Sequence, residues 1–166
     1  PALGLASRGT VSAQGLQPER FVHRRGGRDR QAATLDRDRG LVRFSGPSAR
    51  LPLLPGAQDR LSWMVQLGGI LEADPALRAV GAEVLAQVIG ARGDADVWRF
   101  QNDGLESVSL PDGRILRSVR LTREPTRPYD VRVQVWLDPG EFHWPVRLIL
   151  QPWPRGEALE WLRRTP

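Results

Sequence analysis

Two histidines, two close carboxylate pairs and six tryptophans are the residues of this chain whose chemistry goes beyond packing. His23 and His143 are far apart, neither stands in an HxxxH spacing, and there is no cysteine to complete a zinc set. No metal or cofactor site is expected. His23, beside Arg24-Arg25 in an alternating stretch, reads as solvated or structural, and His143, ahead of Trp144-Pro145, as part of a turn. Paired carboxylates can do general acid–base work. Asp94 and Asp96 precede a strand, however, and Asp36 and Asp38 lie in a hairpin, so turn chemistry accounts for both pairs. GxSxG is absent. The glycine-rich Arg25-Gly26-Gly27-Arg28 joins two strands, whereas a phosphate cradle opens a helix. The residues therefore predict no enzyme.

Trp63, Trp98, Trp136, Trp144, Trp153 and Trp161 carry large apolar rings. Core packing is the plain role for such rings, since they fill the gap between a curved sheet and a helix. Lining a cavity for an apolar ligand is the other. The candidate lining or core set is Trp63, Met64, Leu67, Ile70, Trp98 and Trp136. Trp136 alternates out of phase with Val133, Val135 and Leu137, which places it outside the main core or in a second layer.

All 24 basic residues are arginine. GC-rich codons favour arginine over lysine, so the net charge of +5 is weak grounds for a nucleic-acid partner. Its distribution says more. Residues 1–50 hold 10 arginines against 4 acids, and the rest of the chain is near balance. Arg20, Arg24, Arg25 and Arg28 form a candidate patch for an anionic membrane surface. Nucleic acid is not expected. Phe21, His23 and Arg25 would share one strand face and Arg20, Val22 and Arg24 the other, which builds no stacking platform.

The elements that must position these residues are short. Strands are predicted near 6–14, 19–26, 30–36 and 39–45, then at Glu83–Gly90 (whose alanines leave helix open), Ala95–Asn102, Leu105–Leu110, Ile115–Arg123, Tyr129–Leu137 and Val146–Gln151, with Glu157–Arg163 either strand or helix. Asp103-Gly104 and Pro111-Asp112-Gly113 read as hairpin turns. Gln58–Glu72 is apolar nearly all round. A helix of that kind must be enclosed, so Leu61, Met64, Val65, Leu67, Ile70 and Leu71 should be buried, with Gly68-Gly69 as a close-packing site. The fold class predicted is mainly β (α+β), a strongly bent antiparallel sheet or partly open β-barrel wrapped around one apolar helix. Residues 1–166 read as a single domain, and the abrupt start at Pro1 suggests trimming of an N-terminal export or anchor segment.

Several segments resemble the bacterial domain-of-unknown-function family 3108, exported envelope proteins of Gram-negative bacteria. They are Gly15–Phe21, Gln31–Asp36, Pro55–Ser62, Trp98-Arg99-Phe100, Arg123-Glu124-Pro125, and Val135–Pro139 with Pro145–Leu148. The resemblance implies a soluble periplasmic or cell-envelope domain, with no established activity and no catalytic residues to carry over. The sheet-around-helix shape also looks like that of periplasmic lipoprotein carriers, a likeness of fold alone. The function expected is a non-enzymatic module binding an apolar or amphipathic, lipid-like envelope ligand in the sheet concavity. The alternative is a structural or protein-interaction module of the envelope with a filled core.

Overall fold

Period-two alternation resolves into strands along nearly the whole chain. The computed structural model describes residues 2–164, so the expectation about Pro1 falls outside the described residues. Strands account for 57% and helix for 9%, the mainly-β class with one α-helix that the sequence predicts. The first strands are β1 (Leu3–Ser12), β2 (Gly15–Arg25), β3 (Arg28–Asp36), β4 (Leu41–Phe44), β5 (Arg50–Pro52) and β6 (Gln58–Asp59). Helix α1 (Trp63–Ala73), a 3-10 turn (Pro75–Arg78) and β7 (Glu83–Ile89) follow. The chain closes with β8 (Ala95–Ser109), β9 (Ile115–Arg123), β10 (Asp130–Asp138), β11 (Trp144–Trp153) and β12 (Leu159–Leu162). One sheet has the order β1-β2-β3-β4-β5 and the other β12-β11-β10-β9-β8-β7-β6. The described pairings are antiparallel except β6 with β7. Gly26 and Gly27, at φ 59° and 74°, give the two left-handed residues that a tight β2–β3 hairpin needs.

The chain divides into two compact units. The first runs to Gln66 and takes in Ala86–Trp98. Its core is Ala33, Leu35, Val42 and Ile89, against which Phe44, Leu51, Leu53 and Ala95 pack. Trp63 and Trp98 are both buried, with ring centroids 5.7 Å apart. Asp59 is fully buried, and its Oδ1 accepts from the amides of Leu61 and Ser62 while Ser62 Oγ accepts from the Asp59 amide. Ser7 Oγ donates to its other oxygen. This box closes the turn ahead of α1, where sequence pattern alone runs the helix back to Gln58. His23 lies half-buried and edge-on to Phe21. Burial and then Arg92 and Arg60 push its pKa below the usual value, while Asp94 opposes them.

The second unit holds Leu67–Leu85 and the chain from Arg99 onward. Here the sheet curls strongly around the helix. Val119, Leu121, Val133, Val135 and Leu137 are buried on one strand face. The opposite face buries a second cluster of Val108, Leu110, Trp136 and Val146, with Leu116, Ile149 and Leu162 against it. Trp136 is thus a second-layer residue. Its ring lies 4.8 Å under the Arg147 guanidinium, and its Nε1 donates to Glu106 at 3.3 Å. Arg123 and Asp130, whose side chains are almost wholly buried, pair at 2.6 Å. Burial opposes ionisation of Asp130, but the hydrogen bond from Arg123 and the amides of Thr126 and Val131 hold its pKa well below the usual carboxylate range.

Three expectations need correction. Gln58-Asp59 is strand β6. The helix buries Trp63, Leu67 and Leu71, spaced four apart, while Leu61, Met64, Val65 and Ile70 are half-exposed, so α1 is covered on one face. Ala95–Ser109 is one strand, with Asp103 as the extra residue of a bulge between Asn102 and Gly104. Asn102 accepts from the Gly104 amide at 2.8 Å, and Asp103 turns aside to Arg120 and Thr122, so the pair bends the strand without reversing it.

Candidate ligand-binding site

The last turn of α1 ends on two carbonyls that need partners. Asp74 accepts from the Ala76 amide and Pro75 opens the 3-10 turn. This brings Arg78 back to donate to the Leu71 and Glu72 carbonyls at 2.6 and 2.8 Å. Arg78 thereby caps the helix and complements its dipole. Beyond it, the Gly81 amide bonds to the Asn102 carbonyl and the Asn102 amide to the Ala82 carbonyl, which leaves Val80 exposed. The bulge at Asp103 sets the register in which Leu105 opposes Val119 and Ser107 opposes Arg117. Leu105, Arg117 and Val119 therefore share a face.

The turn after β10 supplies the opposite wall. Asp138 accepts from the Gly140 amide and pairs with Arg163, which also pairs with Glu141. Phe142 and His143 are then held left-handed, at φ 54° and 52°, a conformation of order 1–3 kcal/mol per non-glycine residue that persists only under surrounding constraint. One constraint is visible. A β-carbon on Gly68 would stand 2.5 Å from the His143 carbonyl oxygen, so only glycine lets this turn sit against α1. The same β-carbon on Gly69 would meet nothing within 4 Å. Close packing thus belongs to Gly68 alone.

These elements line an open cavity of about 570 Å³ bordered by Glu72, Arg78, Val80, Gly104, Leu105, Arg117, Val119, Pro139 and His143. Small-molecule sites span about 300–1,000 Å³. His143 is buried, with Nδ1 2.6 Å from Glu72 Oε1. When Glu72 is ionised and the imidazole neutral, Nδ1 carries the proton and Nε2 keeps a lone pair. Nε2 is buried without a hydrogen-bond partner among the described residues. Arg117 is exposed and has no carboxylate within ion-pair distance among the described residues, whereas Arg78 is committed to Glu72 and the helix carbonyls. Val80 and Leu105 are 76% and 52% exposed, more than an apolar residue with a filled neighbourhood would be. The lining can hold an apolar body and a negative group together. It offers no hydroxyl or thiol nucleophile.

None of the residues expected either to line a ligand cavity or to pack the core borders this cavity. Trp63, Leu67, Trp98 and Trp136 are buried, and Met64 and Ile70 are half-buried. Arg24 pairs with Asp29 at 2.8 Å, Arg20 donates to Thr34 Oγ1 at 3.4 Å, and Arg25 opposes Arg28 across the hairpin. The site residues that sequence reasoning passed over are Glu72, Arg78, Val80, Leu105, Arg117, Val119 and Pro139. Glu72 and His143 are 71 residues apart, so no spacing joins them. Among the described residues no group of three or more His, Asp or Glu side chains comes together as a metal site. No helix among them is long and apolar enough to cross a membrane.

Comparison with protein-family models, curated proteins and solved structures finds no match to this chain.

Proposed function

We propose that this chain is a non-enzymatic binding module that takes an amphipathic, lipid-like anion in the cavity beside Glu72 and His143. The observation that carries the reading is the composition of one wall. Arg117, without a counter-ion among the described residues, stands beside Leu105 and Val119 on the same strand face, with Val80 and Pro139 completing an apolar surround. An alkyl carboxylate or phosphate fits that chemistry, with its tail on the apolar side chains and its head on Arg117. Titration with alkyl carboxylates of increasing length tests it. Each methylene that enters should tighten binding about fourfold, and Arg117→Gln should weaken every member by a similar factor. Affinity that ignores chain length would remove the apolar half of the reading.

A protein-interaction role in the envelope is the second reading. It is favoured by edge strands that expose apolar side chains: Leu3, Leu5 and Val11 on β1, and Leu159 and Trp161 on β12. Unpaired edges of this kind are templates for strand addition. A periplasmic location belongs to the same proposal and rests on the segments quoted above. Cell fractionation of the producing bacterium tests it, with recovery in the cytosolic fraction against it.

A further inference from the structure

The antiparallel register of the five-stranded sheet lines up a row of arginines that the sequence does not reveal. Arg8 on β1 opposes Arg20 on β2, Arg20 opposes Thr34 on β3, Thr34 opposes Arg43 on β4, and Arg43 opposes Arg50 on β5. Directly paired residues share a face. The row therefore crosses the whole sheet, about 19 Å at the usual strand spacing. Arg24 lies on the same face two rows over, opposite Gly4 and Asp29. Arg8, Arg20, Arg24, Arg43 and Arg50 are all exposed. Of these, only Arg24 and Arg43 reach a carboxylate among the described residues, Asp29 at 2.8 Å and Asp36 at 3.9 Å.

Two like-charged pairs face each other here, Arg8 with Arg20 and Arg43 with Arg50. Such pairs are unfavourable in an isolated sheet, and an external anion relieves both. Between the arginines the face is lined with small side chains. Ala6, Val22 and Ala32 form the neighbouring row, and a depression of about 300 Å³ opens among Ala6, Val22, Arg8, Arg20 and Arg24. The aromatic side chains of these strands lie on the other face, where Phe21 pairs with Ala33 and Ala33 with Phe44. The basic face thus has planar guanidinium forks for phosphate oxygens and no ring on which a base could stack. Phosphates spaced along a surface fit it better than a single phosphate or a single-stranded nucleic acid.

We infer that this face docks on an anionic phospholipid bilayer, a role separate from the cavity and resting on different residues. The probe is vesicles of mixed phosphatidylcholine and phosphatidylglycerol, with phosphatidylcholine alone as the neutral arm, in co-sedimentation of the full chain at low and high salt. Binding should require phosphatidylglycerol and fall with salt. Each arginine facing an anionic surface is worth about fivefold, so Arg8→Gln/Arg20→Gln/Arg50→Gln should weaken binding roughly 100-fold. Arg99→Gln/Arg114→Gln/Arg132→Gln removes the same charge from residues paired with Glu83, Asp112 and Glu124, and should change binding only a few-fold. Equal weakening by both triples, or binding to neutral vesicles, would overturn the assignment. So would displacement by inorganic phosphate beyond a chloride control, which would indicate a single-phosphate site, or tighter binding to duplex DNA than to vesicles. Far-UV circular dichroism of both triples separates loss of binding from loss of fold.

Discussion

Gly68 and Gly69 are adjacent in the same helix, and alanine should act on them in opposite directions. In a helix interior, alanine is favoured over glycine by about 1 kcal/mol. Gly69 is exposed and a β-carbon there meets nothing within 4 Å, so Gly69→Ala should stabilise by up to about 1 kcal/mol. At Gly68 the added carbon stands 2.5 Å from the His143 carbonyl oxygen and 3.2 Å from its carbon. Both are backbone atoms of a residue already held left-handed. Relief needs the turn and the helix to part by several tenths of an ångström, and overpacking of this kind costs about 1–3 kcal/mol. The helix preference offsets about 1 kcal/mol of that, so Gly68→Ala should range from near neutral to about 2 kcal/mol destabilising. The cleaner quantity is the gap between the two variants, which isolates the clash at about 1–3 kcal/mol. Urea unfolding at neutral pH, followed by far-UV circular dichroism, reads it directly. Gly68→Ala should also lengthen the Glu72–His143 contact and weaken ligand binding, whereas Gly69→Ala should bind as wild type does. Equal stability of the two variants would refute the claim that Gly68 holds the His143 turn against the helix.

Three other predictions concern the stability of the fold. Asp130→Asn breaks a pair whose side chains are 3% and 6% exposed and should cost about 3–5 kcal/mol at pH 7. Because the native carboxyl titrates below its unfolded value, that contribution is present above about pH 4 and is lost as pH falls further, so wild type and variant should converge in acid unfolding. For His23 the folded pKa is lowered, so the unfolded chain binds more protons and stability should decline as pH falls through about 6.5. His23→Gln should flatten the slope of urea midpoint against pH in that window. Leu67→Ala should cost about 2–5 kcal/mol, and Met64→Ala distinctly less, because Leu67 is 1% exposed and Met64 is half-buried; equal thermal midpoints for the two would contradict one-faced covering of α1.

The strands were legible because their signal is local. Val133, Val135 and Leu137 alternate with Gln134 and Trp136, and the odd positions are buried together while Trp136 joins the second cluster. The helix start was hidden because Gln58 and Asp59 are polar residues whose burial depends on partners elsewhere in the chain. Their burial comes from bonds to Leu16, Ser7 and Ser62, two of them more than 40 residues away. Asp103-Gly104 carries the same letters whether it turns a hairpin or bulges a strand, and Arg120 with Thr122 decides it from across the sheet. The cavity was not readable for the same reason. Its parts are a helix end, a 3-10 turn, a bulged strand and a left-handed turn, joined by packing. The arginine excess was plain in the composition, but which arginines share a face depends on strand register.

Methyl-resolved NMR titration of the full chain with dodecanoate tests the binding proposal most directly, because it reads location as well as affinity. The methyls of Val80, Leu105 and Val119 should shift together and saturate, and the shifts should largely disappear in Arg117→Gln. The methyls of Met64, Leu67 and Ile70, which do not line the cavity, should stay in place. Saturating shifts centred on Met64, Leu67 and Ile70 with none at Val80, Leu105 and Val119 would contradict the site, and no saturating shift anywhere would contradict the binding role.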